Sequence, residues 1–244
     1  SDTDEVNSLR LRLGRAYEAQ RIERLWFVEA ERVITDPRSG GPSLSQVTAA
    51  TVNFHGVRRD VDSVVLPTTG QAFSLESALG QVTSARVGGS GGFGRLHVRA
   101  HAWRPLGLQW YGQARAELGQ VVSKAGTDVP QTQLFRTGGD DTVRGYDYRG
   151  LALKDANGVD TGGRVLATGS VEVARPVSPR LANLWWAVFV DGGNVAERWR
   201  DLRPAWGAGL GLRWRSPVGP LRADVAYGEE EKNWRLHLSV GIAF

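Results

Sequence analysis

Polar and apolar side chains alternate with a period of two residues along most of the chain. Between residues 109 and 118, polar side chains take the odd positions and small or apolar side chains the even ones. In the last ten residues, leucine, valine, isoleucine and phenylalanine hold every even position. This spacing is typical of β-strands, whose side chains point alternately to the two faces of a sheet, and not of helices. The chain is therefore predicted to be all-β.

Turn signals separate the alternating runs, and together they predict eleven strands. Proline and glycine mark turns at residues 67–70, 104–107 and 216–219. Most of the runs have the roughly 10 residues that a tilted strand needs to cross the apolar layer of a membrane. The predicted strands are residues 8–18, 23–35, 45–57, 70–82, 93–103, 107–120, 163–175, 184–191, 205–216, 220–228 and 233–244.

The predicted connections tend to alternate between long and short. The long ones are residues 36–44, 83–92, 121–162 and 192–204, and the short ones are 19–22, 104–106 and 217–219. Residues 58–69 form a longer connection than this alternation predicts, and residues 229–232 a shorter one. Short turns at one rim and longer loops at the other are typical of outer-membrane barrels.

Two architectures fit this pattern. A soluble β-sandwich or lipocalin-like barrel would point the apolar side chains inward. A transmembrane antiparallel β-barrel would point them into lipid and the charged ones into a wet lumen. The transmembrane barrel is favoured because the polar face is strongly charged, and because aromatic side chains near strand ends fit an interfacial girdle. These aromatic residues are Trp110, Trp186, Trp214, Tyr227 and Trp234.

Composition narrows the classes of function. The 244 residues include no cysteine, which excludes a disulfide framework, a thiolate metal site and a cysteine nucleophile. The net charge of +4 is spread along the chain, so no nucleic-acid partner is expected. The chain contains no run of 18 apolar residues, so no transmembrane helix is predicted. Methionine is also absent, so we expect a processed product or a segment of a longer protein.

The longest connection carries the most distinctive sequence. It contains a Gly-Gly pair followed by Val143, Arg144, Gly145 and Tyr146. A loop of about 40 residues is unusual unless it is functional or disordered. If this one packs inside the lumen, Arg144 needs a carboxylate, because an unpaired charge in a confined site is costly. Glu172 and Asp191 face inward by alternation and are the candidates; the alternative is a solvated arginine in a flexible loop.

Four segments, in this order, resemble the BamA superfamily of outer-membrane proteins, and within it most closely the TamA branch. They are the Gly-Gly-Asp…Val-Arg-Gly-Tyr loop, the Val-Phe-Val-Asp-Gly-Gly stretch ending at Gly193, residues 215–224, and the terminal Phe244. The resemblance covers residues 62–244, beginning at Asp62 and the Pro-Thr-Thr-Gly turn. The ordered set is specific, whereas each motif alone is weak.

The resemblance implies a 16-stranded barrel preceded by periplasmic POTRA domains, which inserts proteins into the bacterial outer membrane. In this family the Val-Arg-Gly-Tyr loop enters the lumen, and its arginine pairs with acidic residues on adjacent strands. By position these residues are Arg144, Glu172 and Asp191 here. A weak seam at the last strand acts as a lateral gate, which directs attention to Gly241 and Phe244. Gly241 could soften that strand.

The resemblance also implies partners. They are outer-membrane lipid, client β-barrel proteins such as autotransporters, and an inner-membrane-anchored protein that spans the periplasm. It implies no enzyme activity, no catalytic residue, no cofactor and no metal.

This chain departs from the family pattern in strand number. About eleven strands are predicted and no POTRA segment, so we expect residues 1–244 to be one domain, the C-terminal part of a barrel. An odd number of up-and-down strands gives the first and last strands the same direction. Those two strands cannot then close as an antiparallel pair, so either one strand escapes the prediction or the N-terminal wall of the barrel is missing from this chain.

Other motifs predict little. Residues 89–94 spell G-x-G-x-x-G, but an alternating strand follows where a nucleotide site needs a helix. His97 and His101 would be about 13 Å apart on a strand, too far to share a metal ion. No segment resembles the nucleophile elbow of a hydrolase. Arg-Gly pairs are too few for an RNA-binding track.

The leading hypothesis for function is an assembly factor that pairs an unstable edge strand with a client hairpin. The alternatives are a passive pore or polypeptide secretion channel, and a barrel fragment or engineered barrel without native activity. Electrical conductance across a planar bilayer would separate a pore from an assembly factor.

Overall fold

A computed structural model describes residues 5–36, 45–84, 89–154, 158–216 and 219–241. Eleven of its strands form one antiparallel sheet, and a pair of two-residue strands lies in the longest connection. The strands are β1 (Glu5–Ala19), β2 (Ile22–Asp36), β3 (Ser45–Val61), β4 (Gly70–Ser84), β5 (Gly91–Gly107), β6 (Trp110–Ser123), β7 (Leu153–Lys154), β8 (Asp160–Thr161), β9 (Val165–Pro176), β10 (Leu184–Ala196), β11 (Ala205–Ser216), β12 (Gly219–Gly228) and β13 (Asn233–Val240).

Every strand of the large sheet pairs with its neighbour in sequence. The order is β1-β2-β3-β4-β5-β6-β9-β10-β11-β12-β13. The pairing of β6 with β9 runs from Tyr111 opposite Ala174 to Gln120 opposite Val165, so the longest loop starts and ends at one rim. Because the strand number is odd, β1 and β13 run in the same direction and form the two edges of the described sheet. The predicted fold class, an incomplete antiparallel barrel of about eleven strands, is confirmed.

The two faces of the sheet differ as the alternation predicts. Leu210 and Leu238 point outward and are 63% and 67% exposed. On the inner face, Glu172, Asp224 and His237 are buried. Such an arrangement suits lipid outside and a polar interior, because ionic groups carry a high cost in hydrocarbon.

Outward aromatic side chains lie near both ends of the strands. Trp110, Trp186 and Trp214 lie where β6 and β10 begin and β11 ends, and the Trp110 and Trp186 rings meet edge to face at 5.1 Å. At the opposite rim the Tyr227 and Trp234 rings are 5.3 Å apart. Two such belts are typical of a barrel wall that spans a membrane.

The connections between strands are shorter on average at one rim of the sheet than at the other. The short-turn rim joins β1 to β2, β3 to β4, β5 to β6, β9 to β10 and β11 to β12, and the long-loop rim joins β2 to β3, β4 to β5, β6 to β9, β10 to β11 and β12 to β13. Residues 62–69 and 177–183 of the short-turn rim are nevertheless longer than residues 229–232 of the long-loop rim. The short-turn rim is by this criterion the periplasmic one.

The predicted turn at residues 104–106 was wrong. Pro105 belongs to β5 and lies opposite Tyr111, with a bulge before Gly107. The chain reverses instead at Leu108 and Gln109, which have φ angles of 50° and 63°. Two consecutive residues with positive φ make the tight hairpin turn that suits the twist of a sheet. Pro105 is tolerated in β5 because it lies near the end of the strand, where a missing N–H donor costs little.

Residues 124–164, called here the lumen loop, fill the concave side of the sheet. Val129 and Phe135 of the loop pack with Val82, Phe93 and Leu166 of the wall in the largest buried apolar cluster. A second cluster joins loop and wall further along. The core of this protein therefore lies between the loop and the inner face of the sheet. The helical elements of the described ranges are single 3-10 turns, and none is long and apolar enough to cross a membrane.

Candidate functional site

The Val-Arg-Gly-Tyr motif lies in a tight turn of the lumen loop. The Gly139 amide donates to the Val143 carbonyl at 3.1 Å, and the Thr142 hydroxyl accepts from the Gly138 amide at 2.8 Å. Val143 and Tyr146 are completely buried and pack with Leu151 and Ala205. The turn is anchored by its two apolar side chains, which leaves Arg144 pointing along the inner wall.

Arg144 makes its most complete contact with Asp191 of β10. The Arg144 Nε and Nη2 atoms donate to the two Asp191 carboxylate oxygens at 2.7 and 2.9 Å. The Arg144 backbone amide adds a third bond at 3.0 Å, and the Ser170 hydroxyl a fourth at 2.6 Å. Four donors suit a carboxylate that has no exposed surface, because such a group needs its lone pairs filled.

Two further carboxylates extend this contact into a network. Arg144 Nη1 donates to Glu172 at 2.8 Å and to Asp224 at 3.3 Å. Arg213 of β11 binds Glu172 in bidentate fashion, at 3.0 and 2.7 Å, and also binds Asp224. The Arg144 guanidinium lies 3.3 Å from the centre of the Phe189 ring. Two arginines thus share three carboxylates, and the strands that supply them, β9 to β12, are adjacent.

Glycines let the loop approach the wall. A Cβ atom at Gly207 of β11 would lie 1.9 Å from the Arg144 carbonyl oxygen, and one at Gly228 of β12 would lie 2.5 Å from the Gly145 carbonyl oxygen. Gly145 has a φ of +95°, and a Cβ there would lie 2.7 Å from the Gly228 amide nitrogen. The Gly-rich stretch at residues 207–211 is therefore a wall with little bulk on its lumen side.

The motif also contacts the last strand. The Gly145 amide donates to His237 Nε2 at 2.9 Å, and His237 Nδ1 contacts the Asp140 carboxylate. Arg235 pairs with Asp147 of the loop and with Glu231. These contacts tie residues 140–147 to β13, an edge strand of the described sheet.

Of the two residues predicted for a gate, Gly241 lies within the described part of the chain. Gly241 follows the described part of β13, has a φ of +109°, and donates its amide to the Pro220 carbonyl at 2.9 Å. Its amide therefore still bonds to the neighbouring strand β12. Phe244 lies outside the described residues.

The first part of the lumen loop reaches the other side of the sheet. The Thr132 hydroxyl donates to Glu31 of β2 at 2.7 Å, and Glu31 also binds Arg10 of β1 at 2.7 Å. The Phe135 ring lies under the Arg95 guanidinium, 4.7 Å from its centre. The lumen loop therefore contacts β2, next to one edge of the described sheet, and β13 at the other edge. It bridges the concave face of the sheet between them.

His97 and His101 have separate partners. His97 lies between Glu117, at 2.6 Å, and Glu76, at 3.3 Å, whereas His101 stacks on Trp103 with ring centres 3.8 Å apart. Within the described ranges, no group of three or more histidine, aspartate and glutamate side chains could hold a metal ion.

Four residues of the site are absent from the sequence-based prediction. They are Ser170, Arg213, Asp224 and His237. Alternation marks all four as inward, as it does Glu172 and Asp191. Which inward groups meet Arg144 depends on how the loop lies, and the local sequence carries no signal for that.

An outward apolar wall, two aromatic belts and a loop packed into a charged interior define an outer-membrane β-barrel with an occupied lumen. An Omp85 superfamily domain matches residues 29–244, and the chain belongs to that superfamily. The predicted location in the bacterial outer membrane is thereby confirmed. The narrower assignment to the TamA branch stays a prediction.

Relatives and solved structures agree with this placement. The outer membrane protein assembly factor BamA of Nitratidesulfovibrio vulgaris is 30% identical over 247 residues, 95% of this chain and 30% of that protein. Outer envelope protein 80, chloroplastic, of Arabidopsis thaliana is 30% identical over 135 residues, 51% of this chain and 16% of that protein. The chain thus spans less than a third of each relative's length.

The crystal structure of BamA from Haemophilus ducreyi lacking POTRA domains 1–3 has the same fold. It matches 98% of this chain and 53% of its own with a TM-score of 0.74 at 16% identity.

Proposed function

We propose that this chain assists the assembly of β-barrel proteins into the outer membrane, without catalytic chemistry of its own. The observation that carries the proposal is the position of β13 at one edge of the described sheet. This strand pairs with β12 along one side only within the described sheet. A free edge presents backbone donors and acceptors to another strand, so a client hairpin can add to it by β-augmentation.

The side chains of β13 suit such an exchange in lipid. Leu236, Leu238 and Val240 face outward and are exposed, while the strand has eight residues between Asn233 and Val240. The name of the Nitratidesulfovibrio relative, an outer membrane protein assembly factor, supports the same role.

The occupied lumen favours assembly over passive conduction. Val143, Tyr146 and Leu151 of the lumen loop are buried against the wall, and charged groups around Arg144 bind one another. An open pore needs a clear aqueous path, which this packing obstructs. We therefore expect no large steady conductance across a planar bilayer.

A narrower proposal follows the TamA branch of the family. The chain would be the C-terminal part of a 16-stranded barrel that assembles autotransporters, with a lateral gate at β13 and with an inner-membrane-anchored partner in the periplasm. The ordered segments from Asp62 to residue 244 support it. Faster assembly of an autotransporter β-domain than of a porin-type barrel would favour this branch, and equal rates would count against it.

Disulfide trapping tests the central proposal, because the chain has no cysteine of its own. Leu238→Cys in vesicle-reconstituted protein is mixed with a client barrel that carries single cysteines along its terminal strand. Directly opposed residues lie about 4.5–5.5 Å apart, within disulfide reach, so one register should trap. The matched control is Ala116→Cys, also outward, on the doubly paired strand β6. Equal trapping at both positions, or none, would refute pairing at β13.

A further inference from the structure

Two lumen-facing side chains of β13 hold the lumen loop. The His237 ring is buried and has a contact on each nitrogen: Nε2 accepts from the Gly145 amide at 2.9 Å, and Nδ1 faces the Asp140 carboxylate. Since Nε2 accepts, the ring proton lies on Nδ1, where the carboxylate can receive it. Two residues earlier on the same face, Arg235 binds Asp147.

These contacts hold β13 from the lumen side, whereas the backbone hydrogen bonds to β12 hold it along one edge. The bonds from β13 to β12 fix one edge, with Asp224 opposite His237 and Ala226 opposite Arg235. A slip by one residue would turn His237 toward lipid, because side chains alternate between faces. A slip by two residues would carry the ring roughly 6.6 Å from the Gly145 amide. Each movement breaks the contact with the loop.

We propose that His237 and Arg235 are positioning residues that latch the edge strand to the lumen loop. A slip of β13 along β12, as when a client strand draws on the edge, then occurs only in step with a change in residues 140–147. This latch rests on the proposed function for its purpose, since it assumes that β13 is the pairing edge. The latch itself is present in the protein without a client. Because coupling is reciprocal, loosening either side must loosen the other.

Amide hydrogen exchange of the protein in detergent, without client, tests the latch. His237→Leu removes both ring contacts and keeps a side chain of similar size. We expect exchange across residues 138–146 of the loop to rise roughly five-fold, the equivalent of one net hydrogen bond. From the other side, Asp140→Asn should raise exchange in β13 at residues 234–240.

Two further variants separate a latch from general damage. His237→Gln keeps an acceptor oxygen near the position of Nε2, so exchange in the loop should stay within about two-fold of the parent protein. Ser239→Ala changes the next lumen-facing residue of β13, for which no side-chain bond is described, and should leave the loop unaffected. The proposal is overturned if His237→Leu speeds exchange in β13 alone, or if the Gln variant behaves like the Leu variant. A latch without client trapping at Leu238→Cys would instead refute the proposed function.

Discussion

The carbonyl oxygen of Arg144 faces the Cα atom of Gly207 so closely that a Cβ atom there would lie 1.9 Å from it. No side chain fits in that space, and the obstacle is backbone, which cannot rotate away. Glycine at this point of β11 is therefore what allows the loop to lie flat against the wall. The ion pairs of Arg144 depend on that approach, since the same residue supplies the carbonyl and the guanidinium.

Gly207→Ala should displace the loop from the wall. Overpacking of this kind typically costs about 1–3 kcal/mol, and here the guanidinium would also move relative to Asp191. Limited proteolysis should cut residues 124–164 faster in the variant. Gly169→Ala is the matched control, because a Cβ atom at Gly169 meets nothing closer than 3.9 Å. Equal cutting of both variants would show that the contact does not hold the loop.

Arg144→Ala should loosen the same loop for an electrostatic reason. Glu172 and Asp224 would keep the guanidinium of Arg213, whereas Asp191 would lose the two guanidinium bonds among its four donors. The bonds from the backbone amide of residue 144 and from the Ser170 hydroxyl would remain as long as the loop stayed in place. Removal of one partner from a buried ion pair costs about 3–5 kcal/mol. We expect faster proteolysis within residues 121–162 and a lower unfolding temperature.

Arg149→Ala provides the control for Arg144→Ala. Arg149 is an exposed arginine of the same loop that lies over the Tyr148 ring. Loss of an exposed contact of this kind changes stability little. If both alanine variants lose the same stability, then the network around Arg144 contributes no more than a surface arginine does.

How much of this site the sequence predicts depends on the range of the interactions. The alternation is a property of neighbouring residues, so it predicts which side chains of the last ten residues face lipid without knowledge of the fold. It also marked Glu172 and Asp191 as inward groups near Arg144. It could not rank them against Asp224, since all three are inward carboxylates on neighbouring strands.

Local sequence patterns do not predict the side-chain contacts of the last strand, β13. His237 and Gly145 are 92 residues apart in sequence, and their bond depends on the path of the whole lumen loop. The turn at Leu108 was missed for a different reason. Proline at position 105 is a turn signal, but the twist of a two-stranded hairpin favoured a turn with two positive φ angles, three residues later.

Phe135→Ala should destabilise the part of the loop that lies far from Arg144. The Phe135 ring is buried in the apolar cluster with Val82 and Leu166, and truncation of a buried phenylalanine costs about 3–5 kcal/mol. Thermal unfolding in detergent should show a clear decrease in midpoint. Tyr148→Ala, which truncates an aromatic ring of the same loop that is 78% exposed, should leave the midpoint almost unchanged. Similar decreases would mean that the cluster adds no stability.

Asp62 should make the turn at residues 62–69 sensitive to acid. Partial burial favours a higher pKa, but bonds from the Thr68 hydroxyl and from the amides of Thr68, Thr69 and Ser63 outweigh it, so the pKa of Asp62 is lowered. A lowered pKa in the folded state means that the stabilisation is present above the ordinary aspartate pKa. The stabilisation is lost as the pH falls through the lower folded value.

Nuclear magnetic resonance can follow this titration. The amide shifts of Thr68 and Thr69 should move together with a midpoint below that of an unperturbed aspartate, because both amides donate to Asp62 Oδ1. Asp62→Asn should abolish the titration. A midpoint at or above the ordinary value would contradict the described bonds.

The orientation of the wall can be tested at adjacent residues. Leu238 faces outward and is exposed, whereas Ser239 follows it on the lumen face. A nitroxide on Leu238→Cys should collide more often with oxygen, which concentrates in hydrocarbon, and one on Ser239→Cys more often with a water-soluble nickel chelate. Leu212→Cys on β11 should behave like Leu238→Cys. The same preference at positions 238 and 239 would mean that β13 does not separate lipid from water. An edge strand in that state could not present Leu236, Leu238 and Val240 to the membrane while the loop holds His237.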